Sequence, residues 1–210
     1  MPGAATEILL IRHGQTDLNR EPRFQGQIDA PLNPLGQLQA RRLAERLASE
    51  RLHAMVCSDL TRTRQTAAPS AERLGLPATP MSPWREQGFG VFEGLAFPEV
   101  IERYPQEWAA WLRHDADYSP PGGETARAFH ARVIAALRGL ALEAEGRSVA
   151  VVTHGGVLDM VWRTAKGLPL SGPRNCTIPN AGLNRIRVTG ERIEILAWAD
   201  DAHVADLTLD

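Results

Sequence analysis

The sequence predicts an α/β fold with a mostly parallel sheet, and three observations carry that expectation. Apolar runs of strand length alternate with stretches of helical spacing along the chain, with no internal repeat and no low-complexity block. Two of the runs, Ile8-Leu9-Leu10-Ile11 and Val149-Ala150-Val151-Val152, are uniformly apolar, as buried strands are. Each run leads into histidine and glycine, Arg12-His13-Gly14 after the first and Thr153-His154-Gly155-Gly156 after the second. The carboxyl ends of strands border the ligand crevice of an open α/β sheet, so this placement predicts both imidazoles at one site.

The elements follow in order. After the strand at residues 8–11, Asn33-Pro34 opens a helix whose Leu35, Leu38, Leu43 and Leu47 recur at helical spacing. Residues 54–57 form a second strand; Ser58-Asp59 reads as the cap region of a helix over 61–74, ended by Gly75 and Pro77. Residues 83–121 are richer in aromatics and prolines, with one helical stretch near 99–112, and read as an excursion that covers the sheet. Gly123-Glu124-Thr125 opens an alanine-rich helix to about residue 144. The strand at 149–152 and a helix at 157–165 follow. Two late runs, 183–188 and 192–197, are separated by Thr189-Gly190-Glu191 and predict a hairpin at a sheet edge.

Composition narrows the function classes. At 210 residues, 43% hydrophobic and 23% charged, the chain fits one domain over 1–210, and its net charge of -2 gives no basic footprint for nucleic acid. Any anion site must be local. Residues 1–7 lack the basic region and apolar core of a signal peptide, and no apolar stretch reaches membrane-spanning length, so a cytoplasmic protein without a membrane partner is expected. Cys57 and Cys176 are too few for a disulfide framework and have no partners at metal-ligand spacing; Cys57 reads as a small buried hydrophobe at a strand end.

Histidine titrates near neutral pH and serves as base, acid or nucleophile, and Arg12 adds a fixed guanidinium suited to phosphate or carboxylate. Six sequence elements then line up in order. They are Leu10-Ile11-Arg12-His13-Gly14-Gln15-Thr16 with Asn19, Phe24-Gln25-Gly26, Ser58-Asp59-Leu60 with Arg62 and Gln65-Thr66-Ala67, Arg85-Glu86, Phe89-Gly90 with Phe92-Glu93-Gly94, and Val152-Thr153-His154-Gly155-Gly156. Together they resemble the histidine phosphatase superfamily. The resemblance implies a phosphoglycerate mutase-like three-layer α/β/α sandwich. It also implies that His13 becomes phosphorylated, that Arg12, Arg62 and His154 hold the phosphoryl group, that Glu86 supplies and accepts protons, and that Asn19, Gln25 and Gly26 line the phosphate pocket.

The chemistry asks for residues of these kinds. Two arginines and a protonated imidazole meet the charge on the equatorial oxygens of a transferring phosphoryl group, so neither a metal nor another cofactor is expected. The attacking imidazole must be neutral, with an acceptor on its other ring nitrogen to fix the tautomer. An alkoxide leaves poorly, so a carboxylic acid, Glu86, should protonate it. The glycines Gly155 and Gly156, opening a helix, suit an anion. His53, His114, His130 and His203 read as surface or structural residues, and Trp108 and Trp111 as helix packing.

Within this resemblance the expected activity is hydrolysis of a small phosphomonoester by a monomer or homodimer. A cofactor-dependent phosphoglycerate mutase is the alternative. Mutases of the family carry an arginine after the catalytic glutamate, then tyrosine-glycine and a lysine beyond; here those places hold Gln87, Phe89-Gly90 and Phe97. A pocket wall of Phe89, Phe92, Phe97 and Trp108 would suit a less acidic organic phosphate. Two other classes compete: a metal-dependent hydrolase using His13, His154 and Asp59, which lacks supporting spacing, and a non-catalytic phosphate-binding regulator, which would need neither His13 nor Glu86.

Overall fold

The computed structural model describes residues 4–207, so the first three residues of the segment read as lacking a leader lie outside it. Six strands form one sheet: β1 (Thr6–Arg12), β2 (Ala54–Cys57), β3 (Ala78–Pro80), β4 (Ser148–Thr153), β5 (Leu183–Thr189) and β6 (Arg192–Asp200). Their order is β3-β2-β4-β1-β5-β6. The first four are mutually parallel, while β5 runs antiparallel to β1 and β6 antiparallel to β5. The late hairpin is where the sequence put it, with β6 as the edge.

Among the described residues seven α-helices accompany the sheet: α1 (Asp17–Arg20), α2 (Pro34–Leu47), α3 (Thr61–Leu74), α4 (Phe97–Arg103), α5 (Pro105–Trp111), α6 (Ala126–Glu143) and α7 (Gly155–Lys166). Alternation along β1 and β4 explains the unbroken apolar runs. Ile8, Leu10, Val149 and Val151 pack with Phe129, Val133 and Leu137 of α6 and Val157 and Val161 of α7. Leu9, Ile11, Ala150 and Val152 face the other way, against Leu43 and Leu47 of α2 and Ala67 of α3. Both faces of the sheet are therefore covered, which makes the three-layer sandwich.

Four local readings change. The single helix expected near 99–112 is two, α4 and α5, broken at Tyr104 because the residue before Pro105 is sterically barred from helical geometry. Ser58-Asp59 does not cap α3; the N-cap is Leu60 without a side-chain bond, and the Asp59 carboxylate is held by Arg85 at 2.7 and 2.6 Å. β3 and α1 are too short to leave a periodic signal, and β3 ends on a proline.

The parallel order sets the position of the site. Arg12 of β1 is in register with Thr153 of β4, and Cys57 of β2 with Val152, so three strand ends open side by side. The loop after β1 packs closely on the start of α2. A Cβ on Gly14 would stand 2.6 Å from the Gly36 carbonyl oxygen, and one on Gly36 would stand 2.1 Å from that of Gln15, so only glycine fits either place.

Candidate active site

At the ends of β1 and β4 the two predicted histidines meet. The His13 amide donates to the Thr153 carbonyl at 2.9 Å, and the His13 and His154 ring centroids are 5.3 Å apart, edge toward face. Both rings are buried. Arg62 reaches them from the first turn of α3 and is itself fully buried. Its Nε–H donates to Nδ1 of His154 at 3.2 Å, and its Nη1 and Nη2 donate to the carbonyls of Ile28 and Gly26, each at 2.7 Å. One further N–H remains on each terminal nitrogen.

These contacts fix both tautomers. Nδ1 of His13 lies 2.7 Å from the Gly14 carbonyl oxygen, which can only accept, so Nδ1 carries the proton and Nε2 presents its lone pair. The acceptor the sequence left unidentified is thus the next residue's backbone. An arginine can only donate, so Nδ1 of His154 is an acceptor and its proton lies on Nε2. This corrects one expectation: His154 is a neutral N–H donor and not an imidazolium, because Arg62 already occupies its second nitrogen. Burial, reinforced by Arg62, holds both imidazoles well below the usual histidine range. Burial also pushes the Arg12 and Arg62 guanidinium groups down to about 10, still cationic at neutral pH.

Two buried donors here have no partner among the described residues: Nε–H of Arg12 and Nε2–H of His154. Arg12 is otherwise anchored through Nη1 to the Ile178 carbonyl at 2.7 Å. Orphaned buried donors are costly, and two of them beside a neutral imidazole mark a place prepared for an anion.

The buried neutral histidines carry a pH consequence. Between their depressed folded values and the ~6.5 of an unfolded histidine, the unfolded chain binds more protons, so stability falls as pH drops below about 6.5. Thermal melts from pH 7.5 to 5 should show that decline, and it should flatten in the His13→Asn/His154→Asn double variant. An unchanged slope would contradict it.

Glu86 arrives from the short turn after β3. Its Oε2 accepts the Gly156 N–H at 3.0 Å and its Oε1 accepts the Gln87 N–H at 2.9 Å, so the carboxylate rests on the N-terminus of α7. A Cβ on Gly156 would fall 2.1 Å from Oε1, which makes that glycine a condition of the carboxylate's position. Arg132, on α6, fastens the segment. It donates to the carbonyls of Pro83 at 2.9 Å, Arg85 at 3.0 Å and Glu86 at 3.3 Å, and pairs with Glu124 at 2.7 Å. Sequence reasoning missed Arg132, which sits alone in an alanine-rich helix without a motif.

The remaining expected residues are placed as follows. Asn19 Oδ1 accepts from the Thr16 N–H and hydroxyl and from Asn180 Nδ2, forming a capping box at α1; Asn180 also donates to the His13 carbonyl at 3.0 Å. Gln25 Nε2 donates to the Thr16 hydroxyl, and Gly26 offers its carbonyl to Arg62. These three hold the loop after β1 and the Arg62 fork. Gly155 is the first residue of α7; a Cβ there would stand 3.6 Å from Arg12 Nε and 3.3 Å from an Arg174 terminal nitrogen. Thr66 ties α3 to the same loop, accepting the Gly14 N–H at 3.0 Å.

The trio His13, His154 and Asp59 does not assemble, since Asp59 is engaged by Arg85, and among the described residues no group of three or more His, Cys, Asp or Glu could hold a metal. The aromatic wall also differs from expectation. Phe92 is fully buried in a separate core with Phe24 and Val100, Phe97 is 47% exposed, and Trp108 packs against Phe97. A cleft of about 320 Å³ instead opens beside Glu86, lined by Gln87, Phe89, Trp111, Phe129, Gly156 and Arg174 among others. His114, read as structural, also borders it. Cys57 is buried as expected, its thiol pushed up to about 11.

A family model described as "Histidine phosphatase superfamily (branch 1)" matches residues 8–201. The chain belongs to the histidine phosphatase superfamily. It is 34% identical to the metal-independent phosphoserine phosphatase of Arabidopsis thaliana, over 96% of this chain and 84% of that protein. It is 32% identical to phosphoglycerate mutase-like protein 4 of the same plant, over 95% of this chain and 87% of the other. A mycobacterial glucosyl-3-phosphoglycerate phosphatase, solved with VO3, superposes with a TM-score of 0.81 at 31% identity, over 93% of this chain and 99% of that one. The phosphoglycerate mutase-like fold expected from sequence is the fold observed. In this histidine phosphatase His13, His154 and Arg62 meet at the strand ends, with Glu86 on the first turn of α7 beside them, whereas Phe24 and Phe92 pack in a separate core.

Proposed function

We propose that this histidine phosphatase hydrolyses small phosphomonoesters through a phosphohistidine on His13, with residues 83–121 covering the site of a single domain. The observation that carries the reading is the pair of unpartnered donors, Arg12 Nε–H and His154 Nε2–H, beside a neutral imidazole whose free lone pair is on Nε2. The phosphoryl group sits among those donors and the remaining N–H groups of Arg62, which meet its equatorial oxygens as charge develops. His13 Nε2 attacks phosphorus; the N–P bond forms as the P–O bond to the alcohol breaks, and Glu86 gives the leaving oxygen its proton. Water then attacks phosphorus, Glu86 takes a proton from it, and the N–P bond breaks to release inorganic phosphate and neutral His13.

Water, and not a sugar acid, is assigned as acceptor because the mutase positions are differently occupied. The Gln87 amide is committed to the Glu124 carbonyl at 2.8 Å, and Phe97 lies at the surface. In a screen of phosphorylated metabolites read by phosphate release, with His13→Ala as control, at least one ester should be turned over. Interconversion of 2- and 3-phosphoglycerate with 2,3-bisphosphoglycerate present should be at least ~100-fold slower than the best hydrolysis, about 3 kcal/mol of missing transition-state binding. Mutase turnover faster than hydrolysis would reverse the assignment while leaving His13 in place.

A further inference from the structure

The alcohol half of the substrate must lie where Glu86 can protonate it. Glu86 rests on Gly156 and Gln87, and those two residues both line the 320 Å³ cleft. The leaving group therefore projects into this cleft, between the aromatic wall of Phe89 and Trp111 and the loop that follows α7. That loop carries Arg174.

Arg174 differs from the other arginines around it. Arg62 is buried and Arg12 half-buried, both anchored to carbonyls, and Arg163, which also borders the cleft, is saturated: Nε on Asp159 at 3.0 Å, Nη1 on the carbonyls of Pro169 and Ser171, Nη2 on those of Gly172 and Pro173. Arg163 thus pins residues 169–173 and presents the next residue at a fixed place. Among the described residues the Arg174 guanidinium has no hydrogen-bond or ion-pair partner. A terminal nitrogen lies 3.3 Å from where a Gly155 Cβ would stand, on the same side as Arg12 Nε, so it faces the border between phosphoryl pocket and cleft.

We propose that Arg174 is a specificity-determining residue that binds a carboxylate on the alcohol portion of the substrate, so the preferred esters are phosphates of hydroxy acids. The inference rests on the phosphatase reading above. A single forked guanidinium matches a carboxylate in geometry and charge. A second phosphoryl group would bring two negative charges to a cleft that offers one uncommitted cation and also carries the exposed Asp115. The basic residue absent from the mutase positions after Glu86 is in this reading supplied by Arg174, which lines the same cleft from some ninety residues later in the chain.

O-phospho-L-serine and O-phosphoethanolamine differ only by the carboxylate and make the test. Wild-type protein should favour phosphoserine by at least about 10-fold, read as kcat/KM or, for slow esters, as competition against p-nitrophenyl phosphate. Arg174→Gln should lower that preference by about 10- to 100-fold, and Arg174→Lys should recover part of it. A preference unchanged in Arg174→Gln, or absent in the wild type, overturns the proposal; equal losses on both esters would place Arg174 on the phosphoryl group instead. His13-dependent hydrolysis of p-nitrophenyl phosphate by the wild type tests the underlying reading separately, since its absence removes the phosphatase assignment itself.

Discussion

His13→Ala should lose roughly 10⁴- to 10⁶-fold in turnover of any phosphomonoester, the scale on which covalent catalysis fails when its nucleophile is removed. Among the described residues no second imidazole is placed to substitute. His154, the nearest imidazole, has its Nδ1 bound to Arg62 and its proton on Nε2, so it presents no lone pair to phosphorus. The substitution removes a ring that makes one hydrogen bond to the Gly14 carbonyl, so the variant should still fold and bind phosphate through Arg12 and Arg62. Phosphate-induced stabilisation in a thermal melt checks that binding survives; activity within 100-fold of wild type would contradict the assignment of the nucleophile.

Glu86→Gln should cut turnover of an alkyl phosphate by roughly 10²- to 10⁴-fold, the usual span for a lost general acid. The amide oxygen of the new side chain can still accept the Gly156 N–H, while its NH2 group faces the Gln87 N–H that Oε1 accepted, so the proton is lost together with one of the two anchoring hydrogen bonds. An aryl phosphate should suffer less, because p-nitrophenolate leaves without help. For that ester formation of phospho-His13 should persist as a burst while the attack of water slows. Equal losses in the burst for both esters would deny Glu86 the donor's role. The other acids nearby are committed elsewhere: Glu93 Oε1 accepts the N–H groups of Gln27 and Phe89, and Glu124 pairs with Arg132.

The sheet and the nucleophile were legible in the sequence for the same reason. β1 and β4 are buried on both faces, so their apolar runs are unbroken, and the residues that follow a parallel strand fall at its carboxyl end, where sites form. α2 was legible through leucine spacing and Asn33 at its start, and α3 through Gly75 at its end. What escaped depends on distance in the chain. Arg132 reaches the Glu86 segment from forty-six residues away, Asn180 meets His13 across the sheet, and Arg174 stands over Gly155 from a loop with no periodicity. Local pattern carries no trace of such pairings. The charge state of His154 was misjudged for a related reason, since only the Arg62 contact reveals which nitrogen bears the proton. The aromatic wall was misassigned because Phe92 and Trp111 look alike in sequence, and only packing sends the first to a core and the second to the cleft.

The central claim is that the phosphoryl group is carried on Nε2 of His13. Wild-type protein turning over a fast aryl phosphate, quenched rapidly under alkaline denaturing conditions and examined by phosphorus NMR and peptide mass spectrometry, tests it most directly. The account predicts an acid-labile, alkali-stable phosphoramidate at Nε2 of His13, because Nδ1 is protonated and bound to the Gly14 carbonyl. Phosphorus at Nδ1, on His154 or on an acid-stable ester would contradict it.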